Sequence, residues 1–158
     1  MEIKERINQT LAFIADELKE VAPYSCIIGA SAMILHSYEI GNTADIDILT
    51  TSEGSDKLQL SLKEYMETAP LTKENELFRS NFARFQLPLM DVEVMGELQV
   101  CKDKEWRPVF IEEYTTLHIE NVAIRIPTLK EQIRVLSLFG REKDYRRINQ
   151  LRNLGGKY

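Results

Sequence analysis

The chain has 158 residues, 44% hydrophobic and 28% charged, with 20 Lys and Arg against 25 Asp and Glu for a net charge of −5. That is enough chain for one domain with its own core, and an acidic balance does not suit coating nucleic acid through bulk electrostatics. No apolar run is long enough to cross a bilayer, and the amphipathic, acid-containing N-terminus does not read as a secretory or transit segment. The two cysteines, Cys26 and Cys101, make neither a disulfide framework nor a zinc site. They read as core fillers in a reducing, cytoplasmic setting.

The predicted elements follow in chain order. Ile3, Ile7, Leu11, Ile14 and Leu18 recur at helical spacing, so the sequence predicts a helix over 3–20, stopped by Pro23. Tyr24 to Ile28 is a short apolar run ending at Gly29, and reads as a buried strand. A helix over Ala30 to Tyr38 follows, then a turn at Gly41-Asn42 and a second strand marked by Ile46, Ile48 and Leu49. Asp56 to Glu67 reads as a helix with Leu58, Leu62 and Tyr65 on one face.

Phe78 to Leu87 and Met90 to Met95 read as strands joined at Leu87-Pro88-Leu89, and Lys102 to Pro108 as a polar loop. A second hairpin is predicted over Leu117 to Ile126, with Asn121 at its turn. Thr128 is a helix-cap candidate with Glu131 three residues on, and Gly140 is a stop. A last helix is expected from Glu142 to Leu154. There is no repeat or linker, so the prediction is an α+β fold in a single domain over 1–158. Its core is a mixed β-sheet over about 21–126 with helices packed on it, and the C-terminal end, about 127–154, is helical.

The segment Thr43-Ala44-Asp45-Ile46-Asp47-Ile48-Leu49 carries the most chemistry. Strand alternation sends Ile46 and Ile48 to one face and Asp45 and Asp47 to the other, about 7 Å apart at Cα. Carboxylates this close repel unless a positive charge lies between them, and oxygen ligands suit magnesium. Met90-Asp91-Val92-Glu93-Val94 repeats the pattern, with Asp91 and Glu93 on one face. If the two strands pair, Glu93 lies about 5 Å from the aspartates, and three carboxylates could hold one or two metal ions. The bland alternative is a half-exposed strand with a solvated acidic face. Gly29-Ala30-Ser31, at a strand-to-helix turn, could bring backbone N–H groups to a phosphate, with Ser31 as a hydroxyl donor or merely a helix cap.

The order strand, Gly-x-Ser, helix, turn, strand with Asp-x-Asp resembles the nucleotidyltransferase superfamily related to DNA polymerase beta. The match runs through Ile28-Gly29-Ala30-Ser31 and Thr43 to Leu49, with Val92-Glu93-Val94-Met95 as the third-acid strand. Ile126 to Ile133 and Gly140 to Asp144 resemble the tail of small stand-alone bacterial and archaeal members, some of them toxins of toxin–antitoxin or abortive-infection systems. The resemblance implies a nucleotidyltransferase-like fold. It implies a two-magnesium site on Asp45, Asp47 and Glu93, and a nucleoside triphosphate held at Gly29, Ala30 and Ser31. Glu93 would be third ligand or base. A nucleoside monophosphate would pass to a hydroxyl or phosphate on a small molecule, tRNA or protein. Asp91, Arg141, Lys143 and Asp144 are accessory candidates. The basic stretch of Arg141, Lys143, Arg146, Arg147 and Arg152 reads either as a solvated helix face or as a rim for the triphosphate or an RNA acceptor, and Asp144 could simply pair with Arg141. Gly41 stands where relatives often carry an arginine, and Arg147 where they often carry an aspartate. A catalytically degenerate nucleotide or protein binder is therefore the alternative.

Overall fold

The computed structural model describes residues 1–68 and 75–155. The chain opens with α1 (Ile3–Phe13) and α2 (Ala15–Lys19), then a 3-10 turn at Ala22–Tyr24. The sequence predicted one helix here. The structure breaks it at Ile14, yet Ile7, Leu11, Ile14 and Leu18 all stay buried, so the apolar stripe passes through the break without leaving the core.

β1 (Cys26–Ile28), α3 (Gly29–Leu35) and β2 (Asp45–Thr50) follow as the sequence leads one to expect, with α3 ending earlier than Tyr38. α4 (Ser52–Ser61) begins four residues before its predicted start and ends in a 3-10 turn at Lys63–Tyr65. Thr51 caps it by accepting a hydrogen bond from Gly54 N at 2.9 Å. The Thr-Ser-Glu-Gly-Ser run looks like a loop by composition. A tertiary demand puts it in a helix: a Cβ on Gly54 would collide with Thr50 Oγ1, and small residues let α4 settle against the sheet.

β3 (Phe78–Gln86) and β4 (Asp91–Lys102) form the expected antiparallel hairpin, and β4 runs well past Met95. The stretch predicted to be a polar loop contains β5 (Glu105–Pro108), which pairs back on the end of β4. Asp103 and Lys104 both have left-handed φ angles of 52° and 65°, the geometry of a two-residue hairpin turn that a charged run conceals. β6 (Tyr114–Ile119) and β7 (Val122–Pro127) make the second hairpin, turning at Glu120 and Asn121. α5 (Leu129–Phe139) ends at left-handed Gly140, and α6 is Glu142–Gly155. Thr128 caps α5 through Glu131 N at 3.2 Å. The Glu131 side chain does not complete a capping box, because it binds the N–H groups of Glu112 and Glu113.

The main strand order is β3-β4-β2-β1-β7-β6, with β5 on β4. β2 lies parallel to β4 and antiparallel to β1, so the sheet is mixed. Ile27, Ile46, Ile48, Val92, Val94 and Phe85 face the cluster that α1 to α4 cover. Burying each such side chain is worth about 1.5–3 kcal/mol. The opposite face carries Cys26, Ile28, Leu49, Leu98 and Val100 under Val135 of α5. Burial pushes the Cys26 thiol up to about 12, so it behaves as an apolar filler. Among the described residues no helix is long and apolar enough to cross a membrane.

Candidate active site

Alternation along β2 puts Asp45 and Asp47 on the face that carries Leu49, while Ile46 and Ile48 go to the larger core. On β4, Asp91 and Glu93 share that face for the same reason, since Val92 and Val94 are fully buried on the other. The ladder is in register: Asp45 pairs with Asp91, and Asp47 with Glu93. A row therefore runs across the sheet from Arg84 on β3 through Glu93 and Asp47 to Ile28 on β1.

One carboxylate oxygen from each of Asp45, Asp47 and Glu93 lies within 4.8 Å of the others. All three line a cleft of about 510 Å³ between the acidic face and the C-terminal helices. Gly29 and Ala30 border the same cleft. Gly29 has φ +71°, and a Cβ there would sit 2.8 Å from Asp47 Oδ2, so glycine at this turn is what lets the backbone lie against the carboxylate. Ser31 is placed differently from the sequence expectation of a phosphate donor. It is fully buried, donates to Ile28 O at 3.1 Å and accepts from Asp47 N at 3.4 Å. Its hydroxyl ties the turn to β2, and it is absent from the cleft wall.

Arg84 is the site residue that the sequence reading missed. Its Nη1 donates to Glu93 Oε1 and lies 3.6 Å from Asp45 Oδ2; Nη2 donates to Asp91 Oδ2 at 2.9 Å; Nε lies 3.9 Å from Glu67 Oε2. Burial opposes its charge. The hydrogen bond to Asp91 and the negative charges of Glu93, Asp91 and Asp45 more than offset that, and raise its pKa above the ordinary arginine value. The signal was available in the hairpin: counting four residues outward on each side of the Pro88-Leu89 turn puts Arg84 opposite Glu93.

From the C-terminal helices, Arg141, Lys143, Asp144 and Arg147 reach the cleft. Asp144 is buried and accepts from Arg141 N at 3.0 Å, Nε at 2.7 Å and Nη2 at 3.0 Å, so the Arg141–Asp144 pairing weighed from helical spacing is present. The paired guanidinium lies 4.9 Å from the Phe78 ring centre and 5.7 Å from that of Phe139. Arg147 Nη1 bonds Gln150 at 3.2 Å. Phe78, Phe82, Met95 and Leu136 give the cleft an apolar side that the sequence reading did not assign. His36 holds the Pro127 carbonyl at 2.7 Å through Nε2, at the C-terminal end of α3. Trp106 lies on β5 under the Arg79 guanidinium, 4.4 Å from the ring centre.

A mixed sheet with an Asp-x-Asp strand beside a third-acid strand, a glycine turn facing it and two closing helices defines a nucleotidyltransferase-like fold. Solved structures agree on that class. TM1012, a provisionally assigned nucleotidyltransferase of Thermotoga maritima, aligns over 96% of both chains with a TM-score of 0.75 and 20% identity. The lincosamide antibiotic adenylyltransferase LnuA, in its lincomycin-bound form, aligns over 92% of this chain and 96% of its own, with a TM-score of 0.56 and 12% identity. The antibiotic-resistance factor ANT(2'')-Ia aligns over 94% and 86%, with a TM-score of 0.53 and 10% identity. No protein-family model and no curated protein sequence matches the chain. At these identities the likeness establishes the fold.

Proposed function

We propose that the chain is a magnesium-dependent nucleotidyltransferase, moving a nucleoside monophosphate from a nucleoside triphosphate to a hydroxyl or phosphate acceptor. The observation that carries this reading is the convergence of Asp45, Asp47 and Glu93 at the wall of a cleft that Gly29 borders. The donor set fits the ion: three hard carboxylate oxygens, already gathered and on adjacent strands, match magnesium better than a softer metal. Bound there, magnesium would supply charge stabilisation for the reacting phosphate.

Asp45, Asp47 and Glu93 would hold the cation. Glu93 already accepts a hydrogen bond from Arg84, so ligation suits it better than taking a proton. Gly29 leaves room for phosphate oxygens beside Asp47. Lys143 and Arg147 would add positive charge to the cleft lining for a leaving pyrophosphate, while the charge of Arg141 is already matched by Asp144. The acceptor oxygen would bond to the α-phosphorus as the bond from that phosphorus to the bridging oxygen breaks. Pyrophosphate leaves with the electron pair, and an acceptor hydroxyl's proton passes to solvent. A cleft of this size takes one small molecule or the end of a larger one.

The test is a thermal-shift screen of the four ribonucleoside triphosphates with magnesium, followed by pyrophosphate release. A magnesium-dependent shift with at least one triphosphate, absent in Asp47→Asn, supports the reading. No shift with any of them contradicts it. A second reading, nucleotide binding without turnover, is favoured by one observation: Ser31 is turned into the protein. It predicts the same shift with no pyrophosphate from any acceptor.

A further inference from the structure

The face that carries the metal-binding candidates holds more acid than three ligands require. Asp91 lies two residues before Glu93 and directly across from Asp45, on the same side of the sheet. Glu67 comes close as well. Yet the oxygens that converge belong to Asp45, Asp47 and Glu93, and those three residues line the cleft while Asp91 does not. Something sorts the carboxylates into two groups.

We propose that Arg84 is the positioning residue that makes this division: it holds Asp91 away from the cleft and turns Glu93 toward the cation. The inference rests on the reading of the triad as a cation site. Arg84 is not among the residues that line the cleft, although its Nη1 touches two of the triad, Glu93 and Asp45. Its two terminal nitrogens divide the acids in the same way: Nη1 meets Glu93 and lies 3.6 Å from Asp45 Oδ2, while Nη2 holds Asp91 at 2.9 Å. The cross-strand register fixes it opposite Glu93, and Glu93 opposite Asp47, so the ladder sets the spacing of all three. A carboxylate has two oxygens, so the hydrogen bond from Arg84 can fix the orientation of Glu93 while one of its oxygens lies within 4.8 Å of those of Asp45 and Asp47.

The fork matters as much as the charge. A guanidinium presents rigid, divergent donors, whereas a lysine ammonium is a point charge on a flexible stem. Asp91 and Glu67 offset the charge of Arg84 on the side away from the cleft, which limits its repulsion of an incoming cation. Orientation, on this account, outweighs repulsion. Losing such an outer partner costs a metal site about 10–100-fold in affinity.

The experiment is a manganese titration by calorimetry on the wild-type chain, Arg84→Lys, Arg84→Met, Asp91→Asn and Asp47→Asn, with circular dichroism to count folded protein. Arg84→Met removes a cation from among four carboxylates and can fail to fold, so Arg84→Lys, which keeps the charge, is the decisive variant. The expected order is near-complete loss in Asp47→Asn, about tenfold or more weaker binding in Arg84→Lys, and a smaller change in Asp91→Asn. Wild-type affinity in Arg84→Lys, or tighter binding in Arg84→Met, overturns the proposal, the first by showing that charge alone suffices and the second by showing that repulsion dominates. Loss in Asp91→Asn as deep as in Asp47→Asn also overturns it, because Asp91 would then be a ligand. No manganese on the wild-type chain defeats the cation-site reading and this inference with it. Binding that only Asp47→Asn disturbs defeats this inference alone.

Discussion

Gly29 and Asp47 meet so closely that a single added carbon on the glycine would stand 2.8 Å from the aspartate Oδ2. The turn at the end of β1 and the acidic strand β2 are thus fitted to one another at the point where the cleft begins. Gly29→Ala should cost about 1–2 kcal/mol from the left-handed backbone alone, and should also push Asp47 out of line. Urea unfolding would read the first effect and a manganese titration the second. An alanine variant with wild-type stability and metal affinity would remove the glycine from the account.

Asp45→Asn and Asp47→Asn each remove a negative charge from a crowded face. The metal-free variants should be as stable as the wild type or more so, because like charges this close repel. Each should lose the magnesium-dependent rise in melting temperature. The pair of measurements separates a ligand from a structural residue, for which stability would fall and the response to metal would remain.

Glu131 is a buried carboxylate that accepts from the backbone N–H of Glu112 and Glu113 and pairs with Arg134. Burial pushes its pKa up, but the hydrogen bonds from Arg134 and from the two backbone N–H groups hold it below the ordinary value. A carboxylate lowered by folding contributes stability above its unfolded pKa of about 4.3 and loses it as pH falls through the folded value. Glu131→Gln should cost about 1–3 kcal/mol near neutral pH, and the gap to wild type should shrink as the solution is acidified from pH 5. Urea midpoints across that range check it. A gap that widens on acidification would contradict the assignment.

The thiols should separate in reactivity. Cys26 is buried with its pKa pushed up to about 12, while Cys101 is half-buried near the end of β4. A thiol reagent at pH 8 should label Cys101 in the folded chain and reach Cys26 only after denaturation. Two rapid equivalents from the native protein would refute the burial of β1.

Local pattern made the acidic strands legible. The alternation Asp45-Ile46-Asp47-Ile48 and Asp91-Val92-Glu93-Val94 gives both the strand and the face, and the two strands do lie side by side. What sequence pattern carried poorly was set by distant contacts. The start of α4 depends on the fit of Gly54 beside Thr50, and β5 on a turn of two left-handed residues with no glycine between them. Ser31 looked like a ligand donor because a hydroxyl at a turn faces either way, and only the packing of β2 decides which. Arg84 was recoverable, since the hairpin turn fixes its partner, but nothing in an isolated Arg draws attention to it.

The most direct measurement is an anomalous difference map from crystals grown with manganese and a non-hydrolysable nucleoside triphosphate. A metal peak is expected between β2 and β4, about 2.0–2.2 Å from an oxygen of each of Asp45, Asp47 and Glu93, with triphosphate oxygens completing its shell beside Gly29. A map with no peak among these three carboxylates, while nucleotide occupies the cleft or the crystal carries the metal elsewhere, would contradict it.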